Sequence, residues 1–328
     1  MPKQRLLEKL VILFAVTAGL HVHASQMAGD ALPLRDLNPF IAGFEIPAAL
    51  PSHIDFNHRN AIDVSYTISN ISLDQQQGLE SAMADAELHR WQFTITHVFN
   101  SRWSIQLELP YQSVSGGSLD TFIENFHHDF GLPNGIRNQW PRNRLLVDYS
   151  INNQSLYHLE NSTSGVADIP LRAGWQFDAH DTHTTALWFT AKLPTGNANH
   201  LTGSDAIDAA LTLSASQSIN DHWCAYEQAS LSLLGKGERL HDQQRESVVS
   251  GMAGLSWMFT HSLDVTSQLN WHGPVYGSNI RMLGPATQWS IAPRYHAGHW
   301  QAWLAITEDI AVDTAPDVQF QFALSHEF

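Results

Sequence analysis

The densest group of metal-ligating side chains in the chain is His127-His128-Asp129. Adjacent histidines on a helix point in different directions, so this pair does not by itself grip one ion. Zinc sites need three or four ligands at set spacings, and neither an HExxH helix nor a CxxC pair is present. The one cysteine, Cys224, excludes an intramolecular disulfide. Ser, His and Asp are scattered, with no G-x-S-x-G elbow to expose a nucleophile. From these residues no metal, no cofactor and no catalytic group is expected, and the histidines read as solvated.

A second set of residues says more. Asp63, Glu108, Asp208, Asp264 and Glu327 each sit on the polar parity of an alternating segment. In Ser262–His272, Leu263, Val265, Leu269 and Trp271 share one parity, and Asp264, Thr266, Gln268, Asn270 and His272 the other. Period-two alternation makes a strand with one apolar and one polar face. Trp103, Ile105, Leu107, Leu109 and Tyr111 repeat the pattern against Ser104, Gln106 and Glu108. So do Ile207, Ala209, Leu211, Leu213 and Ala215 against Asp208, Thr212 and Ser214.

The elements that position these carboxylates follow from the connections. Strands are expected at 60–72, 87–99, 102–114, 144–151, 154–161, 167–178, 184–194, 206–218, 222–234, 247–259, 262–272, 286–296, 299–308 and 317–328. Tight polar turns, as at Asn100-Ser101, Asn220-Asp221 and Thr260-His261, alternate with longer loops near 73–86, 115–142, 195–205, 235–246, 273–285 and 309–316. Short turns at one end and long loops at the other are the mark of an outer-membrane barrel. The fold expected is an all-β, transmembrane, antiparallel up-and-down β-barrel of about 14 strands, or 12 if the 144–161 hairpin is not part of the wall. Trp91, Trp103, Trp223, Trp257, Trp271, Trp289 and Trp300 lie near strand ends, where aromatic girdles form. Glu227 shares the apolar parity of Trp223, Ala225 and Leu231, so a bulge or a register turning it inward is expected.

Two flanking features agree. Lys3, Arg5 and Lys9 precede the apolar run Leu10–Leu20 and the small-residue site Val22-His23-Ala24, which reads as a secretory signal over 1–24. Its removal takes away three basic residues and Glu8, and moves the formal net charge from −15 to −17. So acidic a chain is no nucleic-acid binder. At the other end, Phe320, Phe322, Leu324 and Phe328 alternate with Gln319, Gln321, Ser325 and Glu327. A terminal Phe328 closing such a strand resembles the signal read by barrel assembly machinery. The location expected is the outer membrane of a Gram-negative cell after export through the Sec pathway. The partners expected are that machinery, outer-membrane lipid and lipopolysaccharide.

Two segments break the strand rhythm. Residues 25–59 carry Pro33, Pro39, Pro47 and Pro51 and read either as a periplasmic tail or as a plug, leaving 60–328 as the barrel. In Ser118–Phe130, Leu119, Phe122, Ile123, Phe126 and Phe130 recur at helical spacing before Gly131 and Pro133. That predicts an amphipathic helix in the longest extracellular loop. It either caps the rim, or forms a lid or a constriction in the lumen.

The stretch Phe126-His127-His128-Asp129-Phe130-Gly131-Leu132-Pro133-Asn134-Gly135-Ile136-Arg137, with Leu119-Asp120 before it, resembles the hallmark of an uncharacterised outer-membrane family, domain of unknown function 3187. Asn38-Pro39-Phe40 and Leu109-Pro110 are similar to that family too. The resemblance implies an outer-membrane barrel and a loop motif of Asp120, His127, His128, Gly131, Pro133, Gly135 and Arg137; it implies no activity. Lys192-Leu193-Pro194-Thr195-Gly196, with Gly203-Ser204, resembles a motif of barrels linked to phenol-degradation operons, which hints at passage of small molecules.

The function expected is therefore a channel or binder for small solutes. A non-transporting envelope barrel or a rim enzyme is the alternative. The inward carboxylates allow two electrical readings. An open lumen lined by them would favour cations, whereas pairing with Arg172, Lys192 or Arg294 would leave no such field.

Overall fold

The computed structural model describes residues 31–54, 59–130 and 140–328. Its strands are β1 (Asn60–Gln77), β2 (Glu80–Asn100), β3 (Trp103–Ser115), β4 (Leu146–Ile151), β5 (Gln154–Leu159), β6 (Thr163–Val166), β7 (Ile169–Ala179), β8 (His183–Leu193), β9 (Asp208–Ser218), β10 (Trp223–Leu233), β11 (Ser247–Thr260), β12 (Leu263–His272), β13 (Ala286–Ala297), β14 (Trp300–Asp309) and β15 (Val318–Glu327). One helix, α1, spans Asp120–Phe130.

Twelve strands close the wall. β1 pairs with both β2 and β15, β2 with β3, β3 with β7, and β7 through β15 pair in sequence, every pair antiparallel. Closure leaves no unpaired edge, which a lipid environment requires. The alternative of twelve strands is thus the one realised. The 144–161 hairpin exists as β4–β5, but β4 pairs only with the Glu80–Asp85 end of β2 and stands beyond the wall. The expected loop at 73–86 is strand instead. β1 and β2 run on past the wall to a turn at Gly78, whose φ of 61° suits glycine. Their inward residues Ile71, Leu73, Ala82, Ala84 and Ala86 are buried under the loops, so the segment lacks the alternation that would have marked it. The short strand β6, on the upper end of β3, has no counterpart among the expected strands.

Alternation sorts the side chains by face. Phe93, Trp103, Leu211, Leu255, Leu304 and Phe322 are exposed on the outside, while Gln106, Thr212, Thr266 and Gln321 are buried inside. At the tight-turn end, which is periplasmic in outer-membrane barrels, Trp103 stacks on Trp175 at 6.0 Å and Trp223 on Trp257 at 5.8 Å. Glu227 corrects an expectation. β10 keeps regular register through it, with Glu227 opposite Ala215 and Ala253, so there is no bulge and the carboxylate faces outward. Alanines on both flanks leave it steric room, but no counter-charge.

Of the two readings of the helix, at the rim or over and within the lumen, the structure has the first. Asp120 accepts hydrogen bonds from Asn143 N (2.7 Å) and Asn70 Nδ2 (3.3 Å), and Glu87 accepts from Leu119 N (2.9 Å). Asn70 and Glu87 lie on the outward parity of β1 and β2, and the Phe122 ring meets outward-facing Phe320 at 6.0 Å. α1 therefore leans on the outer face of the rim and neither lids the mouth nor enters the lumen.

Candidate functional site: the filled lumen

Residues 31–54 run inside the barrel, and the wall holds them mostly by their backbone. Five inward glutamines do this. Gln268 both accepts from Leu32 N (2.8 Å) and donates to Leu32 O (2.9 Å). Gln319 accepts from Leu37 N and donates to Arg35 O. Gln321 donates to Pro33 O. Gln228 accepts from Leu50 N and donates to Ala48 O, and Gln176 accepts from Ile54 N. A primary amide offers one acceptor and two donors, so it can stand in for the neighbouring strand an extended chain lacks. Prolines fit such a segment because they remove donors the lumen would have to satisfy. Lower down, Ser52 Oγ meets Thr184 Oγ1 (2.9 Å) and Ser216 Oγ (2.6 Å), and Trp188 Nε1 donates to Pro51 O (2.7 Å).

The chain rises to a compact turn at 38–44, where Asn38 Nδ2 donates to Met282 O and to Thr314 O. There Leu37, Phe40, Ile41 and Phe44 enter an apolar cluster with Leu201, Leu234, Leu240, Val275, Tyr276 and Met282 from the long loops. The largest hydrophobic core thus fills the extracellular mouth. Above it, burial and the Glu80 carboxylate push the Tyr149 phenol up to about 12.

Charges meet at mid-lumen. Glu108 pairs with Arg172 (2.8 Å) and Arg90 (3.0 Å), both from the wall, and with Arg35 of the inserted segment (3.6 Å). Arg35 also pairs with Glu45 of its own segment (3.3 Å), and Glu45 stands 3.6 Å from Arg172. All five are nearly or fully buried. To this cluster the insert brings one cation, Arg35, and one anion, Glu45, which pair with each other, while the wall cluster is bonded through its own shorter contacts.

Among the expected lumen carboxylates, Glu108, Asp208 and Asp264 are buried beside wall cations. Glu108 has Arg172, Asp208 has Lys192 (3.1 Å) and Asp264 has Arg294 (3.2 Å) and His296 (2.7 Å). The reading in which pairing removes the cation field holds for these three. Asp63 and Glu327 line a recess at the tight-turn end, together with Gln106, Gln301 and Ser325. A second recess, which shares Asp63, Gln106, Gln301 and Ser325 with the first, continues to Glu108, Arg172 and Arg294 and ends against Pro33, Ala48 and Pro51 of the insert.

The loop motif is only partly placed. Asp120 caps the rim as described, and His128 is exposed with its Nδ1 3.2 Å from Asp129. Nothing is described of the His127 side chain, and Gly131, Pro133, Gly135 and Arg137 lie outside the described residues. Phe328 pairs its backbone with Asn60, closing the wall at the tight-turn end.

Sequence reasoning missed Asp168. It accepts from Lys192 Nζ, from Gly196 N (2.8 Å) and from Ser204 N (3.0 Å), and Lys192 also donates to Gly43 O (3.0 Å). The Lys192–Gly196 and Gly203-Ser204 motif is thus a knot that clasps the turn of the insert. A Cβ on Gly43 would come within 2.7 Å of Gly203 O, so glycine is required for the approach. Arg35, Asp36 and Glu45 were also missed. Asp36 pairs with His272 at 2.9 Å. Only an N-terminal charged pair set among prolines could have pointed to them.

The sequence profile of a family described as a protein of unknown function, DUF3187, matches residues 10–328. The chain belongs to that family. No curated protein matches it in sequence. Among solved structures, the COG4313 outer membrane channel from Pseudomonas putida F1 is similar with a TM-score of 0.53 at 11% identity, over 85% of this chain and 97% of that one. The NanC porin matches with a TM-score of 0.49 at 7% identity, over 81% and 100% of the two chains. The KdgM porin matches with 0.45 at 7%, over 82% and 99%. At such identities the likeness is one of fold: the DUF3187 chain has the closed antiparallel β-barrel of outer-membrane channels.

Proposed function

We propose that this barrel is a gated channel for small polar solutes, held shut at rest by residues 31–54. The observation that carries this is the nature of the insert: a mostly apolar segment with only three charged side chains, Arg35, Asp36 and Glu45, gripped through its backbone and filling an otherwise polar barrel. When it leaves, Glu108 keeps Arg90 and Arg172, Asp208 keeps Lys192 and Asp264 keeps Arg294, so each of these wall carboxylates retains a cation, while His272 loses Asp36. The recess lined by Asp63, Gln106, Gln301 and Glu327 already admits solvent from the tight-turn end. The barrel fold shared with the Pseudomonas putida channel supports the same reading.

The apolar turn gives the closed state its weight. Burying Leu37, Phe40, Ile41 and Phe44 contributes roughly 1.5–3 kcal/mol each. Together they make spontaneous opening rare. That seal is also the observation favouring the second reading, a non-transporting envelope barrel. Liposome swelling separates them. Protein lacking residues 31–54 is expected to admit sugars and amino acids well above the full chain. Equal, near-zero swelling of both proteins, with the deleted form still folded by heat-modifiable gel mobility, would sink the channel reading. A catalytic role is not proposed.

A further inference from the structure

The turn joining β7 to β8 brings together three side chains that the lumen does not use. Asp178 Oδ2 lies 2.9 Å from His183 Nε2, and Asp178 Oδ1 lies 3.1 Å from His180 Nε2. The two imidazole rings are 4.6 Å apart, centroid to centroid. One ligand atom from each of the three residues falls within 4.8 Å of the others.

The backbone builds this convergence. Along β7 the even-numbered residues face the lumen: Arg172 pairs with Glu108, and Gln176 holds Ile54. Unbroken alternation would send Asp178 inward as well. Instead the register slips between Gln176, opposite Ala186, and Asp178, opposite Thr185. The extra residue is a β-bulge, and bulges re-aim side chains. It moves Asp178 to the outer parity of β8, which Thr185 and His183 share, while Thr184 faces in to hold Ser52. The turn itself is fixed by His180 N donating to His183 O at 2.8 Å. Both histidines present Nε2 to one carboxylate.

We propose that Asp178, His180 and His183 form a binding site for a divalent first-row transition-metal ion of the kind that takes mixed imidazole and carboxylate ligands, such as zinc. Zinc bonds its nitrogen and oxygen ligands at roughly 2.0–2.2 Å, so ligand atoms on one ion stand roughly 3–3.5 Å apart. The two carboxylate–imidazole separations already lie in or beside that range, and rotation of the exposed His180 ring closes the third. All three side chains are more than a third exposed, which leaves the remaining coordination positions to water. The site faces the periplasmic end, away from the lumen, and does not depend on whether the barrel conducts. Sequence reading passed it over because His180 and His183 are three apart on a turn, a spacing that chelates only once the bulge has brought Asp178 round.

Calorimetric titration of Zn²⁺ into the full, untagged chain in detergent tests this. One equivalent is expected to bind, more weakly as the pH is lowered, since neutral imidazoles are the ligands. H183A and H180A are each expected to weaken binding at least about tenfold. D178N preserves shape and folding, and is expected to weaken it by at least about tenfold as well. The double variant H222A/H261A alters histidines in two other tight turns and should leave the affinity unchanged. Absence of saturable binding by the parent, retention of full affinity by D178N, or equal loss in H222A/H261A would each overturn the assignment.

Discussion

Glu108 is the residue on which the lumen's electrostatics turns. It pairs with Arg172, Arg90 and Arg35 at once, all within 3.6 Å. Removing one partner of a buried ionic group leaves the others uncompensated, at a cost of about 3–5 kcal/mol. E108A should lower the unfolding free energy of the detergent-solubilised barrel in urea by that amount, and a change no larger than that of an exposed control such as E238A would contradict the network. Glu227 gives the opposite sign. A carboxylate on the lipid face costs less than Lys or Arg there but is still unfavourable, so E227L should stabilise the barrel by roughly 1–2 kcal/mol. Destabilisation would mean that the carboxylate has a partner. At this scale the sequence was legible through parity, which put Glu108, Asp208 and Asp264 inside. Their partners were legible only where they too lay on strands. Arg35 and Glu45 lie 63 or more positions from Glu108 in a segment without periodicity, and no local pattern ties them to it.

Elements were the most readable level, because period-two alternation forced by a lipid-facing wall leaves little freedom. Every expected strand has a counterpart, most within two residues. The failures have one cause: beyond the membrane, alternation stops being required. There β1 and β2 continue as a two-sided ribbon, and β4–β5 looks like two more wall strands. The distinction predicts a deletion. Replacing Leu146–Leu159 by a short linker removes β4 and β5 but no wall pairing. The shortened chain should still form a heat-modifiable barrel in detergent, with a moderate loss of stability from Val147, Tyr149 and Tyr157 leaving the apolar cluster. Failure to form a barrel would make the hairpin part of the wall. α1 belongs to the same lesson. Its helical spacing was readable, but which side of the rim it covers depended on Glu87 and Asn70, which lie outside its own segment.

For the whole molecule, the decisive quantity is the balance between the insert's apolar turn and the solvated lumen it displaces. Phe40 and Phe44 are buried in the mouth, and truncating a buried Phe to Ala costs about 3–5 kcal/mol. If the segment leaves as a unit, F40A should raise the open population by roughly a hundredfold or more, since about 1.4 kcal/mol is a factor of ten. F40A/F44A should then admit small sugars in liposome swelling where the parent does not. The same molecule supplies the control. Ser52 and Ser216 have their hydroxyls 2.6 Å apart, one on the insert and one on β9. Cysteines at both places, in a C224S background to remove the native thiol, can bridge with little movement. Added to F40A/F44A, the oxidised bridge should abolish uptake and reduction should restore it. Equal uptake before and after reduction would mean that solutes pass beside a stationary insert, along the recesses lined by Gln106, Gln301 and Arg294. The lower half of the segment would then be a fixed constriction, and only the turn at 38–44 would move.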